Sequence, residues 1–417
     1  MVIIDKAGRI YRFRPGDLSG NLINGALGEL PFLEKAKGWL KMSGKRSSVG
    51  KGAFLAGAAL GAGIALIANQ NFHKHPENLP SNIRRKIALD RALSRAHQAG
   101  HISLTQASRY VIFSDHHKGG RDRADDFQPC EPAYLTALDF YFRENYNLII
   151  LGDAEELLEE TIPRVLDAYP NVLQSEARFY PDHYIRFSGN HDNAWEMKDL
   201  VRQYLDPFFP GIEIHRELIL EFRDELDKQG EILLLHGHQG TLDGDIFDFL
   251  PPHILPLYRQ FQNLTGLGHT SPSRDAYDRS LQDNQMYTWA SQQEKLILIA
   301  GHTHRPIWGS MTHLERLIAQ FHALLRVQPR PDNFESEVAR LQEEIEHRVK
   351  VDPPKADIIK TKPCYFNTGC CRFSDGDITG IEFQDGEIRL IKWGLQNGGI
   401  ERVELERNRL AEVFVLL

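Results

Sequence analysis

The 417 residues predict an α/β layered fold with helical insertions and an N-terminal extension. Two features carry that prediction. From about residue 105, short apolar runs recur between Gly, Asp and Asn borders: Tyr110–Phe113, Leu148–Leu151, His183–Phe187, Ile232–Leu235 and Leu296–Ala300. Runs of this length with such borders suit strands covered on both faces. Helical stretches separate them, Tyr134–Phe142 being one. Alternating strand and helix implies layers with loops at the strand C-termini, the edge where open α/β sheets bind ligands.

Composition bounds the reading. Hydrophobic residues make up 41% and charged residues 25%, which excludes wholesale disorder and collagen. The length allows two or three units. Lys plus Arg number 49 against 57 for Asp plus Glu, a net charge of −8 that argues against nucleic acid as the partner. Four Cys give no disulfide framework and fit a cytoplasmic location. The unusual count is 18 His, several of them beside Asp, Asn or Gly.

Taken in order, residues 1–51 hold ten Lys/Arg and four Asp/Glu, with Val2–Ile4 and Ile10–Phe13 flanking a turn as a small hairpin. Residues 52–104 comprise an Ala/Gly-rich apolar segment and a basic helical linker. The 17 uncharged residues 52–68 just reach the lower length of a membrane span. They are Ala and Gly rather than Leu or Phe, so their transfer energy is weak. Membrane contact through 52–68 is one reading, and a buried Gly/Ala segment the other. Residues 105–400 form the main domain, with inserts at 241–292 and 311–350. In the second insert Leu314, Leu317, Ile318, Phe321 and Leu325, then Val338, Leu341 and Ile345, repeat at helical spacing around Pro329 and Pro331. That pattern is an amphipathic helical hairpin. Both inserts flank the motif edge in sequence, where a cap over the pocket is one reading and an oligomerisation arm the other. Ile378–Phe383 and Ile388–Trp393 read as a strand hairpin, and 401–417 as a terminal helix or strand.

Each apolar run ends in potential metal ligands: Ser114-Asp115-His116-His117, Gly152-Asp153, Gly189-Asn190-His191-Asp192, His236-Gly237-His238 and Gly301-His302-Thr303-His304. Carboxylate and amide oxygens suit hard divalent ions, and imidazole suits Zn, Fe and Mn. Two ions about 3.5–4 Å apart can clamp a phosphoryl group and activate water. One Gly-Asp alone is a turn, and His236-Gly237-His238 alone is a His-rich loop. Five clusters in this order, each after an apolar run, are not chance.

That ordered set resembles the calcineurin-like metallophosphoesterase superfamily over roughly residues 108–395, inserts excluded. The resemblance implies a four-layer α/β/β/α sandwich of two mixed sheets with a dinuclear metal centre at one edge. It implies that Asp115, His117 and His304 hold one ion, Asn190, His236 and His302 the second, and that Asp153 bridges both. Two divalent ions are expected, Mn foremost with Fe or Zn as alternatives. A hydroxide bridging them would be the nucleophile, and His191 the general acid, oriented by Glu156 or Asp192. Ligand His must be neutral, so activity should fall at acid pH. His238 replaces or supports His236 in this scheme. Ala154-Glu155-Glu156 after Gly152-Asp153, and Asp192 after His191, depart from the Ser/Thr phosphatase pattern. Ser114-Asp115-x-His117 and His236-Gly237 look more like the bacterial branch with UDP-diacylglucosamine pyrophosphohydrolases and small phosphodiesterases. Lys118, Arg121 and Arg123 are candidate substrate-binding residues, with a solvated loop as the alternative. Cys364, Cys370 and Cys371 read as packing. The expected substrate is a small phosphorylated compound, or a lipid-linked pyrophosphate if 52–68 meets lipid. A catalytically silent scaffold and a Mn-dependent nuclease are the alternatives.

Overall fold

The computed structural model describes residues 80–224, 227–240, 276–330, 333–351, 360–396 and 398–417, and the backbone of 2–4 and 10–12. Val2–Ile4 (β1) pairs antiparallel with Ile10–Arg12 (β2), Ile3 opposite Tyr11. This hairpin lies in a unit, residues 1–73, distinct from residues 74–417. The apolar run 52–68 lies outside the described residues. Among those described, no helix is long and apolar enough to cross a membrane.

The larger unit begins with the helix Ser81–Ala99 and the strands His101–Leu104 (β3), Tyr110–Phe113 (β4), Asn147–Leu151 (β5), Tyr184–Phe187 (β6) and Ile214–His215 (β7). It continues with Glu217–Asp224 (β8), Asp227–Leu235 (β9), Leu296–Ala300 (β10), Pro306–Trp308 (β11) and Met311–Thr312 (β12). Tyr365–Thr368 (β13), Ile378–Gln384 (β14), Glu387–Gln396 (β15) and Gly399–Arg409 (β16) complete the strands. They form two seven-stranded sheets, ordered β16-β15-β14-β4-β5-β6-β7 and β12-β11-β13-β10-β9-β8-β3. Both are mixed: β4, β5 and β6 run parallel while β14 is antiparallel to β4. In the other sheet β10 is parallel to β9 and β13 while β8 is antiparallel to β9.

The apolar runs are continuous because both faces of each central strand are covered. On β5, Ile149 and Leu151 enter the core between the sheets with Ile232, Leu234, Ile297 and Ile299. Leu148 and Ile150 face outward onto Ala133, Tyr134 and Ala137 of the helix Glu131–Arg143. On the far side Leu233, Leu235 and Leu298 meet Leu89 and Ala92 of Ser81–Ala99 and Met286 and Trp289 of the helix Ala276–Ala290. Helix, sheet, sheet, helix is the four-layer sandwich expected from the resemblance.

Of the insert 241–292, residues 276–290 are helical and 241–275 lie outside the described residues. The insert 311–350 is a pair of helices, His313–Arg326 and Phe334–Val351. Thr312 starts the first with a reciprocal cap: its hydroxyl accepts from Glu315 N at 3.2 Å, and Glu315 Oε2 accepts from Thr312 N at 2.7 Å. Arg316 Nε donates to Glu406 Oε1 at 2.8 Å, which ties this helix to β16 of the other sheet.

Candidate metal centre

Every ligand candidate sits just beyond a strand C-terminus. β4 delivers Asp115 and His117, β5 Asp153, and β6 Asn190 and His191, while β9 delivers His236 and β10 His302 and His304. The two sheets thus supply opposite halves of one cluster. Ligand atoms of Asp115, His117 and His304 lie within 4.8 Å of one another, as do those of Asp153, His236 and His302, and those of His117, Asp153 and His191. His304 Nε2 is 3.1 Å from Asp115 Oδ1, and His236 Nε2 is 3.0 Å from Asp153 Oδ2. His117 Nε2 lies 3.6 Å from that same Asp153 oxygen and 3.1 Å from His304 Nε2.

The backbone is bent to make this possible. Asp115, His117, Asp153, His302 and His304 all have positive φ, between 49° and 68°. Left-handed backbone costs a side-chain-bearing residue roughly 1–2 kcal/mol and persists only where surroundings enforce it. Two glycines leave the room. A Cβ on Gly301 would collide with Asp115 Oδ2 and Ser114 Oγ, and one on Gly189 with Asp153 Oδ1.

Ring orientation follows from the second nitrogen of each His. His236 Nδ1 donates to the Leu151 carbonyl at 2.9 Å, which turns Nε2 toward Asp153. His117 Nδ1 donates to Glu156 Oε2 at 3.0 Å. Glu156 also accepts from His191 Nδ1 at 2.8 Å, so one carboxylate orients a ligand and the candidate acid together. The Asp115 carboxylate accepts from Ser114 Oγ and from His302 N at 2.9 Å, and Ser114 Oγ lies 2.6 Å from Thr368 Oγ1.

Electrostatics match. Burial alone would raise Asp115 and Asp153, but the neighbouring imidazoles hold both well below the usual carboxylate range. Burial alone would lower His236, yet Asp153 and Asp115 push it up to about 10; hydrogen bonds to Asp115 and Glu156 likewise push His117 up to about 9. His304 goes the other way, to about 4, through burial. Two imidazole nitrogens 3.1 Å apart can share one proton but not carry two.

The donor set fits divalent cations. Asn190 Oδ1 and His302 Nε2 are buried without a hydrogen-bond partner. Buried acceptors are normally satisfied. His236 Nε2 stands 3.0 Å from Asp153 Oδ2, the contact that raises His236 in the metal-free chain. That is how two ligands of one ion face each other. His117 and His304 nitrogens 3.1 Å apart stand as neighbouring ligands with bonds of about 2.1 Å would.

Other sequence candidates divide. Asp192 does not orient His191: its carboxylate accepts from Gly189 N at 2.6 Å and Ala154 N at 2.8 Å, bracing the two ligand loops. Lys118 is turned away from solvent. It is buried, 3.2 Å from both Glu155 and Glu176, because the chain turns inward after His117. Arg121 grips Glu131 at 2.6 and 2.7 Å and the Ala168 carbonyl at 2.6 Å, over the Tyr169 ring, while Arg123 is exposed. His238 stands behind the cluster, its ring 5.5 Å from that of His236. Cys364, Cys370 and Cys371 are buried in packing, their thiols pushed up by burial. Arg372 escaped the sequence reading. Cys371 N donates to the Asp115 carbonyl at 3.3 Å, and the next residue, Arg372, ion-pairs with Asp126 while its charge works against the rise of His117 and adds to the lowering of His304. Only its place after the Asn367-Thr368-Gly369 segment hinted at it.

Two mixed sheets that converge Asp and His side chains on one edge define a metallophosphoesterase fold. Residues 108–306 match the family model described as calcineurin-like phosphoesterase. Among solved structures, a dimetal phosphatase from Danio rerio is similar at 10% identity and a TM-score of 0.33, over 72% of this chain and 98% of that one. Vacuolar protein sorting 29 from Cryptosporidium parvum is similar at 12% identity and a TM-score of 0.27, over 72% and 98%. A single mutant of Vps29 from Entamoeba histolytica follows at 14% and 0.25, over 72% and 99%. No curated protein matches the chain. The family match and the Asp/His cluster together support a metal-dependent phosphoesterase.

Proposed function

We propose that the chain hydrolyses phosphoester or pyrophosphate bonds with two divalent cations, manganese foremost. The supporting observation is the convergence of buried Asp and His ligand atoms, with Asn190 Oδ1 and His302 Nε2 beside them buried without a hydrogen-bond partner. Asp115, His117 and His304 would hold one cation, Asn190, His236 and His302 the other, and Asp153 both. When bound, the cations supply an activated water and neutralise phosphoryl charge.

The chain's own residues do the rest. Glu156 fixes His191 through Nδ1, leaving Nε2 as the nitrogen that carries a proton to the departing oxygen. Arg372, 23% exposed and held by Asp126, offers a guanidinium to phosphoryl oxygens. Within the family, Ser114-Asp115-x-His117 and His236-Gly237 favour the bacterial branch of pyrophosphohydrolases and small phosphodiesterases, hence a small phosphorylated substrate.

A chromogenic phosphodiester assayed with and without Mn²⁺ tests the proposal. Turnover should require the metal and be lost in His191→Ala. Turnover without metal, or equal rates for wild type and His191→Ala, would refute it.

A further inference from the structure

Asp283 lies outside all five motif clusters, on the helix Ala276–Ala290, yet its carboxylate reaches the ligand loop after β10. It is 2% exposed. Thr303 Oγ1 donates to its Oδ1 at 3.0 Å, the Tyr365 hydroxyl donates to the same oxygen at 3.0 Å, and Arg305 NH1 stands 3.5 Å from Oδ2. Thr303 is the residue between His302 and His304. Both of these hold positive φ, 68° and 56°, a conformation that needs outside support. The Thr303 hydroxyl provides a point of attachment on two sides: it gives its proton to Asp283 and accepts from Asn367 Nδ2 at 3.2 Å. Asn367 Nδ2 also binds the Gly301 carbonyl at 2.6 Å, so the loop is gripped at its start and its middle.

We propose that Asp283 is a positioning residue of the metal centre: by holding Thr303 it sets His302 and His304 toward their separate cations. The inference rests on the two-cation reading above and adds a residue that the motif set lacks. A hydroxyl has one proton, and its direction is defined only if a fixed acceptor takes it. The buried carboxylate is that acceptor, and the helix carrying it is packed on β10 through Met286, Trp289 and Ala290. Ligand geometry is thereby referred to a rigid element instead of to the loop itself.

Mn²⁺ titration of the purified full chain tests this, with the melting temperature of the metal-free protein measured beside it. Asp283→Ala should weaken Mn²⁺ binding about 10–100-fold, and Thr303→Val similarly. The double variant should be no weaker than either single one, since both break one link. Asp283→Asn keeps an acceptor oxygen and should stay within a few-fold of wild type. Tyr287→Phe serves as the control: one turn further along the helix, its hydroxyl accepts from Thr361 N at 2.9 Å and does not touch the loop. It should lower the melting temperature and leave affinity unchanged. Wild-type affinity in Asp283→Ala overturns the inference, as does an affinity loss in Tyr287→Phe matching that of Asp283→Ala, or an Asn variant as weak as the Ala variant. Each of those outcomes leaves the two-cation reading intact; a wild type that binds no Mn²⁺ overturns both.

Discussion

Glu156 touches two imidazoles at once, and its removal should therefore damage two functions. Glu156→Gln should weaken Mn²⁺ binding about 10–100-fold through His117 and also lower kcat through His191. His191→Ala should lower kcat about 10²–10⁴-fold with metal content unchanged, because a general acid contributes at that scale. Comparing metal content and kcat in the two variants separates the roles. The pH dependence has a defined sign. His117 and His236, raised to about 9 and about 10, carry protons in the metal-free chain at neutral pH. Ligand nitrogens must be neutral, so cation binding expels those protons and affinity falls as pH falls. For the metal-free chain itself, a His whose folded pKa exceeds its unfolded value of about 6.5 adds stability below that pH, lost as pH rises through the folded value. Its melting temperature should therefore lose that contribution between about pH 6.5 and 10, while the loaded protein should not follow. Calorimetry of Mn²⁺ binding at pH 7.5 in buffers of different ionisation enthalpy should show proton release; buffer-independent heats would contradict it.

At the scale of elements, the strand-to-loop junction is the critical part. Gly301→Ala would drive a methyl group into Asp115 and Ser114, so the variant should lose bound metal even where it stays folded. Metal analysis of the refolded variant checks this. The central strands were legible because layers cover both their faces: all five apolar runs correspond to β4, β5, β6, β9 and β10. The short or marginal strands were not. β7 has two residues, and in β3 the exposed His101 and Ser103 alternate with half-buried Ile102 and buried Leu104, so neither leaves an apolar run. β8 was missed although six of its eight residues are buried, because Glu217 and Glu221 bracket a stretch of three apolar residues; Arg95 pairs with Glu217, and Arg223 and Lys228 with Glu221. The helical hairpin over 313–351 was legible from its 3.6-residue repeat. Its anchorage by Arg316 on Glu406 was not, since that contact joins residues 90 positions apart.

Across the whole molecule, the ligand loops rest on a buried set of charges. Lys118, Glu155, Glu176 and Arg186 are all at most 1% exposed and are joined in a chain of ion pairs, with Trp195, Tyr134 and Tyr184 donating to the carboxylates. Burial would raise Glu155, but Arg186 and Lys118 pull it down to about 2. Lys118→Ala should destabilise the fold by about 3–5 kcal/mol, the scale for a buried charge left without its partner. Denaturant unfolding measures it. The cations near the first motif were visible in the sequence and their role was not, because Glu176 lies 58 positions from Lys118 and only the fold brings them together. The places of the ligand candidates were legible, since each follows its strand directly and needs no distant pairing to be placed. Elemental analysis of the wild-type chain after incubation with excess Mn²⁺ and removal of free metal is the most direct test of the account. Two ions per chain, reduced in His236→Ala, is the predicted result; a chain that retains none would contradict it.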